Sequence, residues 1–148
     1  MKKYSLLVLI LFASVFISGF GERHKSIAPV NLTTDKIEYK TGELVKMTVT
    51  YTNTSIEAIS TYFPSGQKYD ILIKDKDKND IWRWSYGKMF IMSIQPFSLA
   101  PGKSVSFNYS WHQKDNDGKP VPAGKYYIAG DITISPRVRS AEKTITIK

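Results

Sequence analysis

Strict alternation of apolar and polar side chains constrains this chain more than any other feature. Along "LVKMTVTYTN", Val45, Met47, Val49 and Tyr51 alternate with Lys46, Thr48, Thr50 and Thr52. Along "SVSFNYSW", Val105, Phe107, Tyr109 and Trp111 alternate with Ser104, Ser106, Asn108 and Ser110. A two-residue period puts each set on its own face of an extended backbone, so one face can be buried while the other stays wet. "YDILIKD", "YYIAGDITI" and "KTITIK" repeat the pattern, the second placing Tyr126, Ile128, Ile132 and Ile134 on one face with Gly130 between them. "SIAPVNLTT", "KIEY", "DIWRWS" and "MFIMSI" are less regular strand candidates. Turn clusters such as "KTGE", "TNTS", "FPSGQ", "DKDKND", "LAPGKS" and "KDNDGKPVPAG" separate the segments. Beyond the N-terminal leader no window carries a helical period. Many short strands without helices predict an all-β fold, a single immunoglobulin-like antiparallel β-sandwich with Greek-key wiring. A barrel is the alternative.

The first 21 of the 148 residues stand apart. Lys2 and Lys3 precede an apolar run from Leu6 to Ile17, and small residues follow at Ser18, Gly19 and Gly21. This is the pattern of a signal peptide, too short to cross a bilayer comfortably. The expected division is a signal peptide at 1–21, an N-terminal segment at 22–34 and the β-sandwich domain at 35–148. The product is expected to be secreted or associated with the cell envelope, with an uncleaved N-terminal membrane anchor as the variant. The formal charge is +8, and about +6 once Lys2 and Lys3 leave with the leader. That charge suits an anionic cell-wall contact. Its scattered lysines and arginines make no dense run for a phosphate backbone, so nucleic acid is not an expected partner.

The chemistry-bearing residues are sparse. The chain has no cysteine, which excludes disulfides, thiolate metal sites and cysteine nucleophiles. His24 and His112 are its two histidines, and neither has a marked serine or carboxylate partner. "DKDKND" begins like a calcium loop, but the sixth position is Asp80 instead of glycine and the twelfth is Tyr86 instead of glutamate. It reads as a hairpin turn, and "DNDG" reads the same way. No catalytic residue, metal ligand or cofactor site is expected, and the chain is read as a monomeric binding protein, not an enzyme.

"DIWRWSYGKMF" is the densest aromatic stretch. Trp82, Trp84 and Tyr86 would share one face of an extended strand and read as core, with an exposed platform for a sugar as the rival. With this stretch the chain resembles a known family. "TGELVKMTVTYTNTS", "FPSGQKYDILIKDKDKNDIWRWSYGKMF", "LAPGKSVSFNYSWHQ" and "DNDGKPVPAGKYYIAG" occur in the order seen in the intracellular proteinase inhibitor (BsuPI) family of bacilli, over about residues 35–134. After Phe90 the chain reads Ile91-Met92-Ser93 where that family's pattern has a Thr-Gln pair. The resemblance implies an immunoglobulin-like sandwich and inhibition of a serine protease. The expected function is an exported, non-catalytic inhibitor with a protein partner, and the alternative is a cell-envelope adhesion or accessory module.

Two stretches are candidates for a protein-binding loop. In Phe63, Pro64, Ser65, Gly66 and Gln67, proline fixes one φ, glycine frees another and two polar side chains can close a turn. This reads first as a corner between strands and second as a presented loop. Asp70 beyond it is expected to meet Arg83 or Arg137. The other candidate is Lys119, Pro120, Val121 and Pro122, in a longer polar loop stiffened by its prolines.

Overall fold

A computed structural model describes residues 30–148. The leader at 1–21, residues 22–29 and His24 lie outside that range. The described residues form eleven strands and no helix: β1 (Val30–Thr34), β2 (Glu38–Tyr39), β3 (Val45–Thr52), β4 (Ile59–Phe63), β5 (Tyr69–Lys74), β6 (Asp80–Arg83), β7 (Gln95–Leu99), β8 (Ser104–Trp111), β9 (Gly124–Ile132), β10 (Val138–Arg139) and β11 (Lys143–Ile147). The period of two is what buries them. In β3 every second residue, from Val45 to Tyr51, enters the core, and the residues between remain at least partly in water.

One sheet has the order β1-β3-β8, and the second has the order β2-β11-β9-β5-β6, with β10 on β9. β4 and β7 pair separately. All pairings are antiparallel except β2 with β11, which is parallel. The wiring is consistent with an immunoglobulin-like sandwich. The larger sheets close on a core that holds Val45, Met47 and Val49 of β3 with Ile71, Ile73, Ile128 and Ile145 of the opposite layer. Aromatic rings join the layers: Tyr69 stacks on Phe107 at 4.9 Å, and Trp82 lies 6.3 Å from Trp111. The layers approach so closely that a Cβ on Gly130 would lie 2.6 Å from Val49 Cγ2, which explains the glycine inside β9.

Buried polar groups are satisfied, as the low dielectric of a core demands. Asn53, fully buried in "TNTS", donates to the carbonyls of Leu99 (2.8 Å) and Glu57 (2.7 Å) and accepts from the Ser55 amide. It thereby fixes the link from β3 to β4. Asp131 is buried under Arg139 (2.6 Å) and Arg137 (3.3 Å).

Three local expectations change. "MFIMSI" is not a strand. Tyr86 does not extend the core face of Trp82 and Trp84, because β6 stops at Arg83 and residues 84–87 turn away. "DNDG" closes a loop held by the isolated bridge Lys114↔Pro120, without a ladder of paired strands.

Candidate functional site

The turn that ends β6 is fastened from below. Asp70, 2 % exposed, accepts from Arg83 Nη1 at 3.0 Å, from Ser85 Oγ at 2.8 Å, and from the backbone amides of Ser85 and Ile71. The Trp84 amide also donates to the Ile71 carbonyl at 2.9 Å. A buried carboxylate with a charged partner and three further donors holds its neighbours to one geometry. Of the two expected partners, Arg83 is the one that meets Asp70. From this root the chain tightens through Tyr86 N–H to Arg83 (3.1 Å) and Lys88 N–H to Ser85 (3.0 Å), with Gly87 at φ +69. That left-handed backbone costs glycine little.

Beyond the turn, Trp84 organises the connection from β6 to β7. Its ring packs on Tyr69 at 4.2 Å and on Phe90 at 5.8 Å. The Lys88 ammonium sits over the same indole, 3.6 Å from its centroid, a cation–π arrangement. Desolvation there pulls the Lys88 pKa down, against a smaller upward pull from the Asp70 charge. Both sequence neighbours of Met89 are thus drawn onto Trp84, and Met89 itself is 98 % exposed. Ile91, Met92 (86 %) and Ile94 come after it in solvent, and Tyr86 precedes it. Five of the nine exposed large apolar side chains among the described residues lie between 86 and 94. Scattered apolar side chains on a surface are ordinary, and a run of them on one connection makes this loop a candidate contact surface.

The corner "FPSGQ" braces this connection. The Gly66 amide donates to the Ile91 carbonyl at 2.9 Å, and a Cβ on Gly66 would lie 2.9 Å from Ile91 Cγ2. Glycine is needed here for close approach. Ser65 Oγ accepts the Gln67 amide at 3.2 Å, and the Gln67 side chain reaches the Tyr69 carbonyl at 3.1 Å. Lys68 bonds Gln95 and lies 4.1 Å over the Phe63 ring. Phe63 itself faces the core beside Phe97 (5.1 Å), while Pro64 is exposed. Of the five residues Phe63 to Gln67, Gly66 is the one that touches the apolar loop, at Ile91.

The other candidate stretch is anchored differently. Val121 is buried, its amide bonds the Gln113 carbonyl (2.9 Å), and the Pro122 carbonyl accepts the Tyr126 hydroxyl (2.5 Å). Lys119 and Pro120 are exposed, with Lys119 loosely paired to Asp117 at 3.8 Å. Gln113, 2 % exposed, bonds Gly42 N–H and the carbonyls of Lys40 and Glu43. Of this stretch Lys119, Pro120 and Pro122 are exposed, and Val121 is the buried anchor.

Reasoning from sequence missed the apolar loop itself. Its signal was present: "MFIMSI" breaks alternation directly after a Tyr-Gly-Lys turn, and the departure at Ile91-Met92-Ser93 falls inside it. His112 is exposed at the end of β8. Among the described residues no group of three or more His, Cys, Asp or Glu side chains is placed to hold a metal ion.

The family model described as intracellular proteinase inhibitor (BsuPI) matches residues 32–136, which include the whole apolar loop and both candidate stretches. No curated protein matches the chain. Three of the solved structures that resemble it are a β-glucosidase of Erythrobacter marinus, the sporulation control protein Spo0M of Bacillus subtilis and the alkylpurine DNA glycosylase AlkC of Pseudomonas fluorescens. The β-glucosidase is 15 % identical over 80 % of this chain and 16 % of its own, with a TM-score of 0.45. Spo0M is 19 % identical over 82 % of this chain and 49 % of its own, at 0.49. AlkC is 12 % identical over 82 % and 31 %, at 0.46. This chain thus spans less than half the length of each. The family description corrects the expected location: a family described as intracellular overturns the secreted or cell-envelope placement read from residues 1–21.

Proposed function

The chain belongs to the intracellular proteinase inhibitor family BsuPI, and from that premise we propose that it is a non-catalytic inhibitor of a serine protease that docks through the loop at 86–94. The observation that carries this reading is the pairing of an exposed apolar loop with a stiff frame. Tyr86, Met89, Ile91, Met92 and Ile94 stand in solvent, while Trp84, Phe90 and the Ile91 carbonyl are held by the sandwich. A loop already ordered loses little conformational entropy on binding, so more of its contact energy appears as affinity. The Phe63 to Gln67 corner acts as the brace, and Lys119 to Pro122 form a flank outside the main contact.

The test is titration of the purified protein against active-site-quantified serine, cysteine and metalloproteases. Inhibition confined to serine proteases is the expected result. No slowing of any of them at micromolar protein would sink the reading, and inhibition confined to another class would remove the serine assignment.

A further inference from the structure

We propose that Met89 is the residue that enters the primary specificity pocket of the inhibited protease, and that this pocket is apolar. The inference rests on the inhibitor reading above and adds which side chain leads and what chemistry receives it. Met89 is the most exposed of the loop's apolar side chains, at 98 %. Its two neighbours are both committed to one indole: the Lys88 ammonium lies 3.6 Å over Trp84, and the Phe90 ring packs 5.8 Å from it. Trp84 is fixed in turn by Tyr69 and by its amide bond to Ile71. Residues 88 and 90 therefore lean on Trp84, Lys88 from the solvent side, and residue 89 stands clear of it.

The chemistry of the tip comes from its composition. Met89 is unbranched and uncharged, with a polarisable thioether that adapts to an irregular apolar cavity. The nearest cation in sequence, Lys88, is occupied over Trp84. A pocket with a buried carboxylate would receive no counter-charge from Met89 and would lose hydration for nothing. An apolar pocket gains the side chain's full burial.

The experiment uses the purified full chain, with chymotrypsin and subtilisin as proteases of apolar preference and trypsin as one with an acidic pocket. Four proteins are compared: the parent, Met89→Gly, Met89→Lys and Met92→Lys. Thermal melts are run beside the inhibition constants, and no shift in Tm is expected for side chains this exposed. The parent is expected to inhibit at least one of the apolar-preferring enzymes more tightly than trypsin. Met89→Gly should weaken that inhibition by about thirtyfold or more, the loss typical of a central contact residue. Met89→Lys should weaken it as well and improve inhibition of trypsin, whereas Met92→Lys should change both ratios much less. If the parent inhibits and Met89→Gly inhibits equally well, or the swap in preference tracks Met92, the inference is overturned and the inhibitor reading stands. Tighter inhibition of trypsin than of the other two by the parent also overturns it. If the parent inhibits none of the three and none of the wider protease panel, the inhibitor reading fails and the inference with it.

Discussion

Two loops run side by side at β6, one leaving that strand and the other joining β8 to β9, and they use their residues in opposite ways. Asn116 of the 113–123 loop bonds both Arg83 and Ile81, so it runs alongside the root of the 84–94 loop. The 113–123 loop is polar and proline-rich, yet it turns Gln113 and Val121 into the protein and keeps charged residues outside. The 84–94 loop sends Trp84 and Phe90 inward and leaves two methionines and two isoleucines in water. Burying those four would stabilise an isolated domain. Left out, they form the apolar surface that the proposed docking would cover.

That contrast is open to measurement, and Trp111→Ala should give the largest effect. Trp111 is 1 % exposed and its Nε1–H donates to the Lys114 carbonyl at 2.7 Å, under the start of the polar loop. Truncation should cost about 3–5 kcal/mol in denaturant unfolding. A cost below about 1 kcal/mol would mean that this loop is not built on the core. Gln113→Ala comes next. It removes a side chain that serves one donor and two carbonyls, and should cost about 1–3 kcal/mol in the same assay while leaving inhibition by the surviving folded protein unchanged.

Gly66→Ala acts on the other loop and should reverse the balance. The added methyl meets Ile91 Cγ2 at 2.9 Å, a branch methyl on Cβ, so Ile91 must rotate about χ1 or shift, and because Ile91 is exposed the shift falls on the loop and not on the core. Stability should change by no more than about 1 kcal/mol. Inhibition should fall about tenfold, roughly 1.4 kcal/mol, because the brace under the loop is displaced. Equal inhibition by variant and parent would detach the corner from the site. Lys119→Ala should do least, under about 0.5 kcal/mol in stability and no resolved change in inhibition. A tenfold loss there would exchange the roles of the two loops.

The strands were legible because their causes are local. Val45 to Tyr51 and Val105 to Trp111 declare their faces by alternation, and both lie where that period puts them. The corner at Phe63 to Gln67 was legible as a turn, since Pro64 and Gly66 are turn residues, but its brace against Ile91 depends on a partner 25 positions away. The end of β6 was hidden for the same reason. Trp82, Trp84 and Tyr86 keep the strand period, and what stops the strand is a set of bonds from Ser85 and Arg83 back to the buried Asp70. The parallel pairing of β2 with β11 spans more than a hundred residues and has no local signature.

β11 has a consequence for the order of events during synthesis. It lies between β2 and β9 and brings Ile145 and Ile147 into the core. Of the eleven strands it is the last to leave a ribosome. A nascent chain halted before residue 143 has an open edge on β9, an unpaired β2 and a core short of two isoleucines, so its packing is incomplete and its backbone bonds are unprotected. The contacts that hold the 84–94 loop, from Tyr69, Asp70 and Gly66, all come from residues made before β11, so they can form while that edge is still open. What waits for β11 is the closure of the second sheet, where Ile145 and Ile147 complete the core and β2 gains its partner.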